Sequence, residues 1–305
     1  MKRQNILAVI LMALTVLAAA CGNKAETMVP ETETLTLADS TKYAQLSMEV
    51  ELPVAQDGPT QAIRQQLVTM MAGRLTHVTM SEGEQFYAPY SGDTDDTPAM
   101  MGYYLRATMN LLDSLSHSDA ADRERYMRED GNMSEEEIAE RMAEMPVWGY
   151  DYTLKMIEDT TTYVVYLSQD YIYMGGAHGG VSGDGCLTFD KETGQLVERF
   201  LDPSCVEAIQ PLLIEGLLSY YSDNEVKMTE EELFETLQIE GSQIPLPVFQ
   251  PSPTKNGLVF TYQQYEIASY ADGMPSFTLP YDRLLPYLTP EAKKVCSIYI
   301  QSQEE

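Results

Sequence analysis

Trp148-Gly149-Tyr150-Asp151-Tyr152-Thr153-Leu154-Lys155-Met156, followed shortly by Tyr163-Val164-Val165-Tyr166-Leu167, is where the chain stops reading as helix and starts reading as sheet. Tyr150, Tyr152, Leu154 and Met156 alternate with other residues, the period-two pattern of a half-buried strand. Downstream, Tyr171-Ile172-Tyr173 runs into Gly175-Gly176-Ala177-His178-Gly179-Gly180. Leu187-Thr188-Phe189 and Gln195-Leu196-Val197 flank Asp190-Lys191-Glu192-Thr193-Gly194, a hairpin in which Gly194 supplies the positive φ of a tight turn. Asp202-Pro203 marks a helix start, because proline in the first turn lacks only an N–H that would be unpaired there. Ile209, Leu212, Leu213, Gly216, Leu217 and Tyr220 supply that helix's inner face, and Thr229 to Glu232 form a capping box. Leu258-Val259-Phe260 and Phe277-Thr278-Leu279 read as late strands, and Thr289-Pro290 as the start of a last helix or turn.

Upstream, Leu46, Met48, Val50 and Leu52 alternate with Ser47, Glu49 and Glu51, a strand that Pro53 ends. An Asp57-Gly58-Pro59-Thr60 turn leads into a helix with Ile63, Leu67, Met70 and Met71 on one face. Ala99 to Leu115 has helical spacing. Ser134 and Glu137 form a second capping box, opening a helix to about Met145 that Pro146 stops. The charged run from Asp119 to Glu144 reads as a solvated helical face. Strands and helices come in runs and do not alternate as βαβ units. The expectation is therefore α+β, with antiparallel sheets, packed helices and an acidic helical insertion in the N-terminal half. A boundary is expected near Pro146, although the N-terminal strand can still pair with the later sheet.

The front of the chain has a different character. Lys2 and Arg3 precede an apolar run from Ile6 to Ala20, and Leu17-Ala18-Ala19-Ala20-Cys21-Gly22 follows the pattern of small residues before a cysteine that a lipoprotein signal peptidase needs. It resembles a bacterial lipobox with its leucine one position early. The run is short of the about 20 residues of a comfortable membrane span. Residues 1–20 are read as a cleaved leader, Cys21 as the lipidation site, and 21–43, Thr/Glu-rich and without period, as a flexible tether. Residues 44–146 and 147–305 are the two folded parts. Gly22 after the cysteine is compatible with outer-membrane delivery. The expected place is the cell envelope, membrane-anchored, in the outer membrane or facing the periplasm.

A hydrophobic content of 44% supplies a core. Lys+Arg 19 against Asp+Glu 47 gives a net charge of −28, and losing Lys2 and Arg3 takes it to −30. Such a surface repels nucleic acid and speeds encounter with a cationic partner; it also serves plain solubility. Besides Cys21 there are Cys186, Cys205 and Cys296, an odd set in an oxidising compartment, so at most one internal disulfide forms. Cys186 and Cys205 are nearest in sequence, and all three also suit buried apolar positions.

Two stretches carry candidate chemistry. In Gly175 to Gly180 the glycines let the backbone turn sharply around His178, which suits a proton carrier, a ligand or a structural donor. Gly180-Val181-Ser182-Gly183-Asp184 misses the GxSxG elbow. Only His77 and His117 remain as further histidines, with no CxxC or HExxH, so no metal or other cofactor is expected. The second stretch, Tyr262 to Gly273, sets Tyr262, Tyr265 and Tyr270 beside Glu266, which suits either a wet recognition surface or a half-buried strand and loop.

The two stretches, in this order with Phe189-Asp190, Thr193-Gly194, Leu201-Asp202, Phe260 and Leu279-Pro280-Tyr281-x-x-Leu284, resemble the bacterial envelope domain family DUF3298 over about Trp148 to Leu288. Ala44 to Leu75 resembles DUF4163, a domain found beside peptidoglycan deacetylase domains. The resemblance implies a non-catalytic module, since a related extracellular domain, in the lysozyme-sensing anti-sigma factor RsiV, binds lysozyme. The expected function is a lipid-anchored binding module for an envelope ligand, either peptidoglycan or a cationic protein. Its candidate contacts are Gly175, Gly176, His178, Gly179, Tyr262, Tyr265, Glu266 and Tyr270. The competing readings are an envelope polysaccharide enzyme using His178 with Glu266 or Asp184 as acid and base, and a scaffold for other lipoproteins.

Overall fold

The computed structural model describes residues 31–54, 57–77, 85–176, 180–222 and 227–300. The leader and Cys21 lie outside the described residues. A five-stranded sheet has the spatial order β1 (Thr32–Ser40), β2 (Ala44–Pro53), β3 (Trp148–Asp159), β4 (Tyr163–Tyr173), β5 (Val181–Asp190). Between β2 and β3 the chain makes α1 (Gly58–Thr76), α2 (Thr97–Asp130) and α3 (Glu135–Ala143). After β5 come α4 (Gln210–Tyr221), α5 (Glu230–Thr236), and a second antiparallel sheet of β6 (Ser252–Thr254), β7 (Gly257–Thr261) and β8 (Ser276–Leu279). Short helices α6 (Tyr281–Leu284), α7 (Pro290–Val295) and α8 (Ser297–Ile300) finish the described chain. The class is α+β, as expected.

Three features depart from the sequence reading. The tether expected to run to residue 43 gives way at Thr32 to β1, which pairs antiparallel with β2 from Thr32↔Pro53 to Ser40↔Gln45. Leu35 and Leu37 point inward there while Thr36 and Ala38 face out. Two apolar residues are too short an alternation to stand out among threonines and glutamates, whose β-branched members nonetheless fit a pleated surface. Second, the larger sheet is not wholly antiparallel: β2 and β3 pair in parallel, Ala44↔Trp148 to Val50↔Leu154. A parallel neighbour needs a long crossover, and α1 to α3 supply it. Third, α2 continues well past Leu115. Asp96 caps its start, accepting from the Ala99 N–H at 3.0 Å, and Gly131 ends it in the left-handed conformation at φ 67°. Its buried residues stop at Ala120, so the last ten residues and α3 form a charged helical hairpin, pinned by Ile138.

Several local expectations hold. Asp57 and Thr60 make a reciprocal cap at α1, and Ser134–Glu137 and Thr229–Glu232 cap α3 and α5. Gly194 has φ 70° and sits so close to Pro59 that an added Cβ would lie 2.3 Å from its carbonyl oxygen. Asp202-Pro203 starts only a 3₁₀ turn, Pro203–Cys205, and the α-helix follows from Gln210.

Two cores lie on opposite faces of β4. Val164 and Tyr166 join Leu46, Met48, Tyr150, Tyr152 and Phe189 under α1 and α2. Tyr163 and Val165 join Phe200, Leu213, Phe260 and Tyr262 in the second core. The boundary expected near Pro146 is therefore not where the cores divide, since residues on both sides of it build the first one.

Because β4 is common to both cores, the halves should unfold together. Leu213→Ala, in the second core, should cost about 2–5 kcal/mol. The fluorescence of Trp148, the one tryptophan, reports the first core's side of the molecule. Its denaturation midpoint should fall in step with far-UV circular dichroism. A Trp148 transition that stays put would mean two independent units.

Candidate functional site

The Tyr262–Gly273 segment leaves β7 and folds back on itself. Tyr262 is buried and its hydroxyl donates to the Pro245 carbonyl at 2.8 Å. It anchors the segment and presents nothing to solvent. Tyr265 is the reverse: it is 52% exposed, with φ 64°, the one described non-glycine residue with positive φ. That conformation is costly for a residue with a bulky side chain and persists only where its surroundings impose it. They do here. Glu266, the next residue, accepts from the Val248 N–H at 2.6 Å on one carboxylate oxygen and from the Gln263 N–H at 2.7 Å on the other. Burial raises the Glu266 carboxyl above its ordinary range, against the two backbone donors that pull it down. Ser269 and Asp272 close a small cap, the Tyr220 hydroxyl donates to the Asp272 carbonyl at 2.9 Å, and the Tyr265 and Tyr270 rings lie 5.8 Å apart.

The two stretches singled out in the sequence meet at one residue. The Tyr270 hydroxyl donates to the Gly180 carbonyl at 2.9 Å, while the Gly180 N–H donates to the Tyr171 hydroxyl at 3.0 Å. A Cβ at Gly180 would lie 2.3 Å from the Tyr171 ring and 2.5 Å from the Ile172 carbonyl oxygen, so only glycine fits. Gly175 and Gly176 take positive φ, and Gly175 packs near Pro146 and Trp148. His178, Ala177 and Gly179 lie outside the described residues. Asp184 sits in β5 opposite Gln169.

The other histidines serve elsewhere. The His77 ring contacts the Gly73 carbonyl at the end of α1, and the His117 ring meets Tyr43 edge-on. Among the described residues no group of three or more His, Cys, Asp or Glu could hold a metal ion. No disulfide joins the described cysteines, and burial pushes the Cys296 thiol up to about 12, far from a reactive thiolate.

Sequence reasoning passed over one element of the site: Ile244-Pro-Leu-Pro-Val-Phe-Gln-Pro-Ser-Pro253. It is the loop against which the tyrosine segment is held, through Pro245 and Val248. It is tied at both ends, by Gln210 to Ile244 and by the Phe200 N–H to Gln250 at 3.0 Å. Four prolines in nine residues were the available signal: fixed φ and few N–H donors favour a stiff, extended loop that must be satisfied by side chains. Within it, Phe249 lies under the Arg74 guanidinium, itself paired with Asp170 at 3.0 Å. Val248, 67% exposed, stands beside Tyr265's segment as an apolar contact surface. At the far arm, Tyr126, 70% exposed, lines a 610 Å³ hollow between α2 and α3.

Two outcomes test this geometry. Gly180→Ala should destabilise the protein by about 1–3 kcal/mol through overpacking against Tyr171, read as a lower urea midpoint. In a carboxyl-detected NMR titration Glu266 should titrate above the bulk of the glutamates. Its raised folded-state pKa means that its protonated form favours the fold, so its contribution is present at low pH and is lost as pH rises through that pKa. Glu266→Gln should remove that feature of the stability–pH curve.

Comparison with known proteins places this geometry in a wider setting. No curated protein matches the chain. The structure is similar to a DUF3298 family member from Bacteroides fragilis, with 17% identity, a TM-score of 0.62 and 89% of this chain covering 99% of that one. It is also similar to a DUF3298 family protein from Pseudomonas aeruginosa, with 17% identity, a TM-score of 0.54 and coverages of 87% and 97%. At that identity the likeness is one of fold. The family match itself, described as "Protein of unknown function (DUF3298)", spans α4 through β8 and the tyrosine segment but stops short of the glycine loop. Residues 209–282 are thus a DUF3298 domain.

Proposed function

We propose that this protein is a lipid-anchored cell-envelope binding module whose ligand is a cationic protein, lysozyme being the model case. The observation that carries the reading is the clamp at Gly180: the 2.9 Å bond from Tyr270 joins the glycine loop to the tyrosine segment and leaves Tyr265 and Val248 standing clear of the surface. A rigid, half-apolar, aromatic patch of this kind is the usual centre of a protein-binding surface. The net charge, −30 once Lys2 and Arg3 leave with the leader, adds long-range attraction for a basic partner. The lipobox-like Leu17 to Cys21 supports export and anchoring through Cys21. The extension of the DUF3298 resemblance back to Trp148, the DUF4163-like character of residues 44–75, and a relationship to the lysozyme-sensing anti-sigma factor belong to the same proposal. An acid–base enzyme built on Glu266 is disfavoured because both its carboxylate oxygens already accept backbone N–H groups.

Purified protein starting at residue 22 should bind lysozyme saturably, more weakly as salt rises from 50 to 150 mM (about a threefold to tenfold loss as charges are screened). Tyr265→Ala should weaken binding by about tenfold or more without moving the unfolding midpoint. Equal binding by wild type and variant, or capture by peptidoglycan fragments in place of lysozyme, would redirect the reading. Separately, Cys21→Ser should abolish incorporation of labelled palmitate and release the protein from membranes.

A further inference from the structure

We propose that the cleft between the Arg199–Val206 segment and the proline-rich loop is a second binding site, one that takes an apolar side chain carrying a free carboxylate, as at the C-terminal residue of a peptide. The cleft encloses 170 Å³. That is well under the roughly 300 Å³ at which drug-sized ligands are held, so it suits a single side chain. Leu201, Val206, Leu246 and Phe260 line it together with three prolines. Phe260 and Leu201 are buried, so the apolar floor belongs to the second core and is already formed.

The polar lining has one sign. Of the residues around the cleft only Arg199 and Gln250 have polar side chains, and none is acidic, in a chain where acids outnumber bases 47 to 19. Among the described residues Arg199 has no ion-pair partner within salt-bridge distance. Gln250 spends its carbonyl oxygen on the Phe200 N–H at 3.0 Å, which leaves the NH₂ end of its amide to donate. A guanidinium and an amide, both donors, beside an apolar hollow match a carboxylate attached to an apolar group. The backbone that carries these donors is held in place, while the Arg199 side chain itself is exposed. The Arg199 carbonyl accepts from the Thr289 hydroxyl at 2.8 Å and the Phe200 carbonyl from the Thr289 N–H at 3.0 Å, fixing the backbone segment that bears the arginine. The opposite wall is stiffened by its prolines, by the bond that Tyr262 donates to the Pro245 carbonyl and by the one that the Val248 N–H donates to Glu266. The walls and the apolar floor need little ordering on binding, so the main ordering cost is that of the Arg199 side chain. This site does not depend on the surface around Tyr265 and goes beyond the function proposed above.

The test is calorimetric or NMR titration of the purified mature protein with three probes: N-acetyl-leucine, N-acetyl-leucinamide and octanoate. N-acetyl-leucine should bind saturably and at least tenfold more tightly than its amide, which has the same side chain without the charge. Arg199→Gln should erase that difference, and Arg199→Lys should restore part of it. Val206→Phe, which fills the hollow, should abolish binding of acid and amide alike. Both positions are at least partly exposed, so their unfolding midpoints should stay within a degree or two of wild type. Equal affinity for acid and amide, or no saturable binding of the acid, would overturn the proposal. Octanoate binding more tightly than N-acetyl-leucine would overturn the peptide assignment in favour of a lipid acid.

Discussion

Tyr163, Val164, Val165 and Tyr166 are four consecutive residues of one strand, and all four are buried. A strand alternates its side chains between two faces, so such a run requires cover on both sides. The first core covers one face with the α1–α2 layer, and the second covers the other with α4 and the small sheet. Much of the molecule follows from that double demand. Neither half can be removed without exposing a tyrosine and a valine of β4. The C-terminal helices secure the same region: the Thr162 hydroxyl donates to the Val295 carbonyl at 2.8 Å, and the Tyr299 hydroxyl to Glu158 at 2.7 Å, beside the bulge between Met156 and Glu158. At the other edge, the buried Arg64 donates to Glu33 on β1, the Pro53 carbonyl on β2 and Thr97 at the start of α2. One guanidinium thus fixes where the edge strand and the long helix begin.

What could be read in advance was what is local. The alternation of Tyr150, Tyr152 and Leu154, the Ser134 and Thr229 caps and the Gly194 turn each involve residues within a few positions of one another, and each appears in the structure. What escaped was what depends on distant partners. β1 is specified less by its own Thr/Glu-rich pattern than by β2 beside it. The parallel pairing of Ala44 with Trp148 joins residues separated by three helices, and no short window contains both. The candidate site divides in the same way. The tyrosines and glycines were visible as clusters. That Tyr262 is an internal strut, that Tyr265 is an exposed tip and that Gly180 is the joint could not be told apart by residue type, because burial and hydrogen bonding distinguish them.

The charge of the chain divides into two regimes. Several of its few cations are taken up internally: Arg64 with Glu33, Arg74 with Asp170, Lys191 with Asp159 and Lys294 with Asp190. These pairs tie elements together and leave the surplus of acids on the surface, where it acts at a distance that salt shortens to about 8 Å at physiological strength. A basic partner would feel that field before contact, and salt would weaken its approach. A carboxylate entering the cleft under Arg199 would be repelled at long range and attracted only within hydrogen-bonding distance. Salt would then act in opposite directions on its approach and on its final contact. The two surfaces therefore differ in kind: charge can recruit a partner to the patch around Tyr265, whereas the cleft must select its ligand at close range through two donors and an apolar hollow.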